Sequence, residues 1–254
     1  MRTHFITMVC LVSTLLWAIP ARAEVYKDYF VTGILKVEKK LKNGKQHGTT
    51  RWYYKTGDLQ LEENYKDGVM QGKSRVYYES GKLKAEMQYG NGLLEGNGKT
   101  YHENGQLMES VQYVKGRQNG ESKAWDDKGT LRINARLKND LLDGLSHEYY
   151  ASGALLAKRT FSEGLINGRV TGFYENKQVK HELVFIKGKL EGNCQEYYKD
   201  GTLKAERSYK NGLLEGPALR YHPNGTVQAD VMYSKGIPQH EKYFDEQGKP
   251  IKNQ

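Results

Sequence analysis

The chain has 254 residues, 28 of them glycine, and a formal net charge of +9. Two cysteines among so many residues exclude a disulfide-stapled domain. The mild positive excess suits an anionic partner or surface, and equally serves as ordinary solubilising charge.

From the N-terminus, Arg2 gives a short basic start, an apolar run follows from Phe5 to Ile19, and Ala21-Arg22-Ala23 has the small-x-small form of a cleavage signal. A run of ~15 residues falls short of the roughly 20 needed to span a bilayer. Residues 1–23 therefore read as a signal peptide cleaved before Glu24, which places the mature chain in the periplasm or outside the cell. Cys10 lies inside the apolar run, after Val9, where a lipid-carrying cysteine would not sit. Cleavage leaves Cys194 as the one cysteine and lowers the charge to +7, because Arg2 and Arg22 are lost with no acidic residue. For an exported chain of that charge the composition argues against nucleic acid as a partner.

After a short lead-in at 24–28, an aromatic residue recurs every 24 positions: Tyr29, Tyr53, Tyr77, Tyr101, Trp125, Tyr149, Phe173, Tyr197 and Tyr221. A period of this size marks an array of small supersecondary units. With that aromatic as offset zero, glycine recurs at offsets four, fifteen and nineteen, which accounts for 24 of the 28 glycines. Strings such as Lys42-Asn43-Gly44 and Lys66-Asp67-Gly68 supply the positive backbone angles of tight hairpin turns. Asp140 after Asn139 and Lys177 after Asn176 keep the same logic without glycine.

Between turns the pattern alternates. Offset six holds Leu35, Leu59, Leu83 and their counterparts, offset twelve holds Leu41, Tyr65, Tyr89, Tyr113 and theirs, and the intervening positions are mostly polar. Alternation with one polar parity predicts strands with one wet face. Nine residues of strand, two of turn, about ten of strand and three of turn close each unit. The expected fold is all-β: a single twisted antiparallel meander of about nine hairpins spanning 29–242, the last slightly short, with 243–254 as a capping tail. Eighteen strands at ~4.8 Å give roughly 85 Å of sheet. Two-residue turns would set offset twelve opposite seventeen and offset ten opposite nineteen, with the offset-nineteen glycine beside an aromatic ring. One apolar face, with no helical pattern to cover it, would coil on itself, form a homodimer or hold a partner.

The units at Tyr77-Tyr78-Glu79-Ser80-Gly81-Lys82-Leu83, continuing to Leu94-Glu95-Gly96, and at 197–216 resemble the variant MORN repeat of bacterial proteins. A Tyr-Tyr-x-x-Gly-Lys-Leu form replaces the aromatic-x-Gly-x-Trp form of the original MORN repeat, so lipid binding by that family transfers poorly. The resemblance implies a scaffold or interaction role on an elongated antiparallel sheet, and its relatives include proteins of the YwqK-type antitoxin family.

Two sets of surface residues are candidates for binding. Arg51, Arg75, Lys99 and Lys123 share offset twenty-two, with His147 next, and form a column roughly 10 Å apart that could hold an anionic glycan or lipid head groups. Against this, Glu38, Glu62 and Glu86 are expected diagonally across from the first three, where they would stabilise each hairpin by ~0.2–1 kcal/mol. Tyr54 and Tyr78 follow the offset-zero aromatics, as do Phe30, Tyr150, Tyr174 and Tyr198; they are expected on the opposite face and could stack on sugar. The histidines show no metal-ligand spacing. Cys194 takes a position held by Ser74, Ser122 and Ser146 in other units, which suits packing and not nucleophilic chemistry. Because the repeat uses every substantial stretch, no catalytic domain or cofactor is expected. The chain reads as an exported, non-catalytic scaffold for a protein partner, with an envelope binder of anionic glycan or lipid as the alternative and an antitoxin-like role as a third reading.

Overall fold

A computed structural model describes residues 23–251. The leader read at 1–23 lies, apart from Ala23, outside the described residues, as do the last three residues of the tail. All described secondary structure is β, in 25 strand segments of one open antiparallel sheet. Five pairs of segments are halves of a single interrupted strand, so there are twenty rungs. Each rung pairs with its neighbours in sequence. β1 (Ala23–Tyr29) pairs with β2 (Leu35–Lys42), β2 with β3 (Lys45–Tyr53), and β3 with β4 (Leu59–Lys66). The next rung is interrupted, as β5 (Val69–Met70) and β6 (Gly72–Tyr77), and both halves pair with β4. The same plan continues to a two-residue strand, Pro250–Ile251, in the tail.

The tight turns are the expected ones. Asn43 and Gly44 both have positive φ, 51° and 73°, as a two-residue hairpin turn with the strands' own twist requires. Asn139 and Asp140 reach the same conformation without glycine.

The register differs from the simple hairpin expectation. Tyr65 faces Met70 as predicted, but Glu62 faces Arg75, so five steps on one strand span three on the other. Two extra residues are accommodated beside Gly72, whose φ of +94° suits glycine. Offset nineteen therefore does not face offset ten. It faces the offset-twelve residue of the following unit, as in Gly48–Tyr65 and Gly72–Tyr89. The carboxylates expected diagonally across from the basic column stand directly opposite it: Glu38 faces Arg51, Glu62 faces Arg75 and Glu86 faces Lys99.

Among the described residues, no second layer covers the sheet. The buried positions form a thin line of small side chains, including Val37, Thr50, Ser74, Ala205 and Cys194. Larger groups lie over them. A Cβ placed on Gly98 would come 2.6 Å from the Met87 sulfur and 2.8 Å from the Tyr113 ring. The face expected to be apolar is in fact mixed. Arg159 is paired with Glu148, and Arg207 Nη1 lies 2.8 Å from Glu196 Oε1, on the same parity as Ala157 and Ala205. Tyr65 donates to Glu63 at 2.9 Å, and burial together with that bond pushes its hydroxyl up to about 12. Long polar chains thus lay their stems over the small residues while their ends remain paired.

Units are tied to one another along both edges. At the loop edge the hydroxyl of Tyr54 donates to the Tyr77 carbonyl and that of Tyr78 to the Tyr101 carbonyl, both at 2.7 Å. Tyr150, Tyr174 and Tyr198 repeat this at 2.8 Å, each reaching 23 residues ahead. At the turn edge, the offset-eighteen side chain accepts the first amide of the next turn: Gln71 from Asn91, Glu95 from Lys115 and Asn167 from Lys187. Replacing Tyr150 with Phe removes one such tie and should cost about 0.5–1.5 kcal/mol, read as a lower denaturation midpoint with far-ultraviolet dichroism unchanged. Gly98→Ala should cost about 1–3 kcal/mol by overpacking against Met87 and Tyr113, read in the same experiment.

Candidate interaction surfaces

The bulge register assembles one column of residues that crosses the polar face of the whole sheet. From the first rung it reads Lys27, Glu38, Arg51, Glu62, Arg75, Glu86, Lys99, Ser110, Lys123, Asn134 and His147. It continues through Lys158, Thr171, Glu182, Gln195, Glu206, Leu219, Asp230 and Lys242. The four basic candidates fall in two different settings. Arg51 Nε lies 2.9 Å from Glu62, and Arg75 bridges Glu86 at 2.8 Å and Glu62 at 3.8 Å. Hydrogen bonds from Lys73 and then Arg75 hold the Glu86 carboxyl below the usual range, and the Glu86 bond raises Arg75. Lys99 is exposed beyond this paired stretch, and Lys123 Nζ meets Glu121 from its own strand at 2.8 Å. Arg51 and Arg75 are therefore neutralised within the sheet, while the next stretch of the column holds cations and no carboxylate.

The aromatic candidates are tied to the backbone. Tyr54 and Tyr78 are half-buried at the loop edge, and their hydroxyls are occupied by the next unit's carbonyl. Lys84 Nζ sits over the Tyr78 ring, 5.3 Å from its centre. The offset-zero aromatics lie on the polar face beside the charged column: Tyr221 donates to Glu206 at 2.7 Å, and the His147 and Tyr149 ring centres are 6.3 Å apart.

A third surface was not singled out from the sequence. Val69, Leu93, Leu141, Leu165, Leu213 and Ile237 each follow a turn by one residue and are 46–63% exposed. They line the turn edge in six of the units, and several lie beside the glycine of the next turn: a Cβ placed on Gly116 would come 3.6 Å from Leu93 Cδ2. Lys45, Arg117 and Lys189 fill the remaining places of the row. The fixed offset was visible in the repeat, but the first residue after a turn reads as strand interior until the stacking of turns shows that it lies on a rim.

Cys194 is 5% exposed, and burial pushes its thiol up. Among the described residues, no group of three or more His, Cys, Asp and Glu could hold a metal ion. Because the folded Glu86 value is depressed, the pair contributes above the unfolded carboxyl value of about 4.3 and is lost as pH falls through the lower folded one. Glu86→Gln should therefore melt below the native protein at pH 7 and converge with it on acidification. Parallel melting temperatures down to pH 3 would mean that the pairing has no weight.

Among curated proteins, none matches this sequence. Solved structures align along most of the chain at low identity. A crystal structure of TcdB2-TccC3-Cdc42 and one of TcdB2-TccC3 without its hypervariable C-terminal region are each 13% identical over 90% of this chain, with TM-scores of 0.19. This chain spans only 14% of the length of either. The model of the MORN repeat variant matches residues 46–67, 70–91, 94–115, 190–211 and 214–235. Between the third and fourth matches, 116–189 keep the same turns and strand pairing. Five segments of this array are thus similar to the MORN repeat variant.

Proposed function

We propose that this protein is an exported, non-catalytic scaffold whose turn edge binds a protein partner. The half-exposed row from Val69 to Ile237 carries the proposal. It presents apolar side chains at six of nine turn-edge places, roughly 10 Å apart in adjoining units, with Lys45, Arg117 and Lys189 at the other three. Rows of exposed apolar residues rimmed by polar ones mark protein contact sites. Lysines flank the row, with Lys66, Lys138, Lys210 and Lys235 in the same turns, so the partner's surface should combine apolar pockets with acidic rims. An antitoxin or immunity role is a special case, with a toxin as the bound protein.

The alternative, an envelope binder of anionic glycan or lipid through the offset-twenty-two column, loses two of its four cations to Glu62 and Glu86, and a third, Lys123, meets Glu121. The two readings separate by salt: an anion contact weakens steeply as ionic strength rises, and an apolar one persists.

Crosslinked capture from the native envelope should recover the same protein with wild type and with the Lys99→Glu/Lys123→Glu variant, and lose it with Leu141→Glu/Leu165→Glu. Both leucines are exposed, so the latter variant should fold, which a thermal melt checks. Capture of glycan or lipid by wild type, abolished by the lysine changes, would transfer the function to the column.

A further inference from the structure

Along the polar face the charged column has three zones. It alternates in sign from Lys27 to Glu86 and carries cations but no carboxylate from Lys99 to Lys158. From Glu182 to Asp230 it holds carboxylates but no cation. Such segregation is not needed for stability within the sheet, since the first zone shows that neighbouring rungs can neutralise one another. A basic zone beside an acidic zone of similar length is self-complementary.

We propose that this face pairs with the same face of a second copy of the chain, about a two-fold axis parallel to the strands between Lys158 and Thr171. Such an axis reverses the order of rungs and leaves position along the strand unchanged. It brings His147 over the partner's Glu182, Lys123 over the partner's Glu206 and Lys99 over the partner's Asp230. Glu86 meets the partner's Lys242 at the far end. Sheets stacked face to face lie ~10 Å apart, a gap that opposed lysine and carboxylate chains close from both sides.

The flanking columns obey the same operation. Leu145 is 51% exposed on this face, and the axis sets it over the partner's Val184. Leu156 comes over the partner's Phe173, and the exposed Met108 over the partner's Tyr221. Glu121, the carboxylate bound to Lys123, meets the partner's Ser208 and opposes no like charge. The register is specific. Moving the axis by half a rung, which slips the pairing by one rung, sets Lys99 against the partner's Lys242 in one direction and Lys158 against itself in the other.

The twelve rungs from Lys99 to Asp230, with strands about six residues long, would cover about 1,100 Å² per copy, beside ~800 Å² per partner in a typical stable complex. The twist of each sheet parts the outer rungs, so the pairs nearest the axis carry most of the contact. Burying both copies' charged face also leaves the turn edge of each free, so the interface goes beyond the scaffold reading and does not depend on it.

Sedimentation of the purified protein should show a dimer at low salt that dissociates as salt rises. Lys123→Glu alone and Glu206→Lys alone should each weaken dimerisation roughly tenfold or more, and the two together should restore it. A zero-length carbodiimide crosslink between Lys123 and Glu206 tests the register without any variant. Within one chain these residues are seven rungs apart, on the order of 34 Å, so the link can form only between copies. Restoration by the charge swap together with that crosslink is the expected result. A monomer at every concentration, or a dimer indifferent to both reversals, would overturn the proposal, whereas loss of partner capture in the Leu141→Glu/Leu165→Glu variant would leave it standing.

Discussion

Two extra residues beside the offset-nineteen glycine decide which side chains meet across the two rungs of each hairpin that has that glycine. Without them the turn would impose a register in which offset nine stands opposite offset twenty and the basic residues lie a diagonal away. With them Glu62 sits between Arg51 and Arg75, near enough to reach both. The bulge also frees the offset-eighteen side chain to cap the next turn, as Glu95 caps Lys115. Only a residue tolerant of φ near +90° can sit there, and Gly48, Gly72 and Gly216 all do. One backbone constraint, repeated at a fixed interval, thus sets the charge pattern of one face and the stacking of one edge.

A single-layer sheet has no partner layer in which to bury large side chains, and this one manages with small ones. Val37, Thr50 and Ala205 are almost fully buried because their neighbours' longer chains fold over them. Such a thin core contributes little per unit, so cohesion must come from contacts between units. The tyrosine hydroxyls reaching 23 residues ahead and the turn caps reaching 20 ahead supply it, each linking a unit to the next and to no other. Stability of this kind is close to a sum of nearest-neighbour terms, and fraying should begin at the terminal rungs. The first strand, exposed along nearly all its length, and the two-residue strand at the tail have neighbours on one side only.

Much of this was legible in the sequence because glycine and aromatic residues mark the backbone directly. The period, the two-residue turns, the parity of the strands and the packing role of Cys194 all followed from residues whose conformational or steric requirements are local. What could not be read depends on register. Nothing in Gly72 alone says whether one residue or two are inserted, and that difference turns a diagonal Glu86–Lys99 relation into a direct one. The mixed character of the packed face escaped for a related reason: Arg159 and Glu148 lie far enough apart in sequence that their pairing shows only once the strands are aligned. Val69 and Leu93 looked like ordinary strand interior, and only the stacking of successive turns makes them a rim.

Repeats drift fastest where the fold asks least of a side chain. Offsets four, fifteen and nineteen hold glycine in almost every unit because φ is fixed there, and offset twenty-one stays small because rings cover it. Offsets nine and twenty-two face water, and no neighbour's volume limits them. Yet their drift in this chain is not random in sign. Glutamate gives way to Ser110, Asn134 and Lys158 in the middle of the array and returns at Glu182 and Glu206, just as the cations at offset twenty-two give way to Thr171, Gln195 and Leu219. Pairing between neighbouring rungs of the column does not produce that exchange, and where it lapses Lys123 and Glu182 take partners from flanking positions, Glu121 and Arg169. The column thus gives up its cross-rung pairs in one zone and leaves unlike charge in the next, the complementarity on which the proposed pairing of two copies rests.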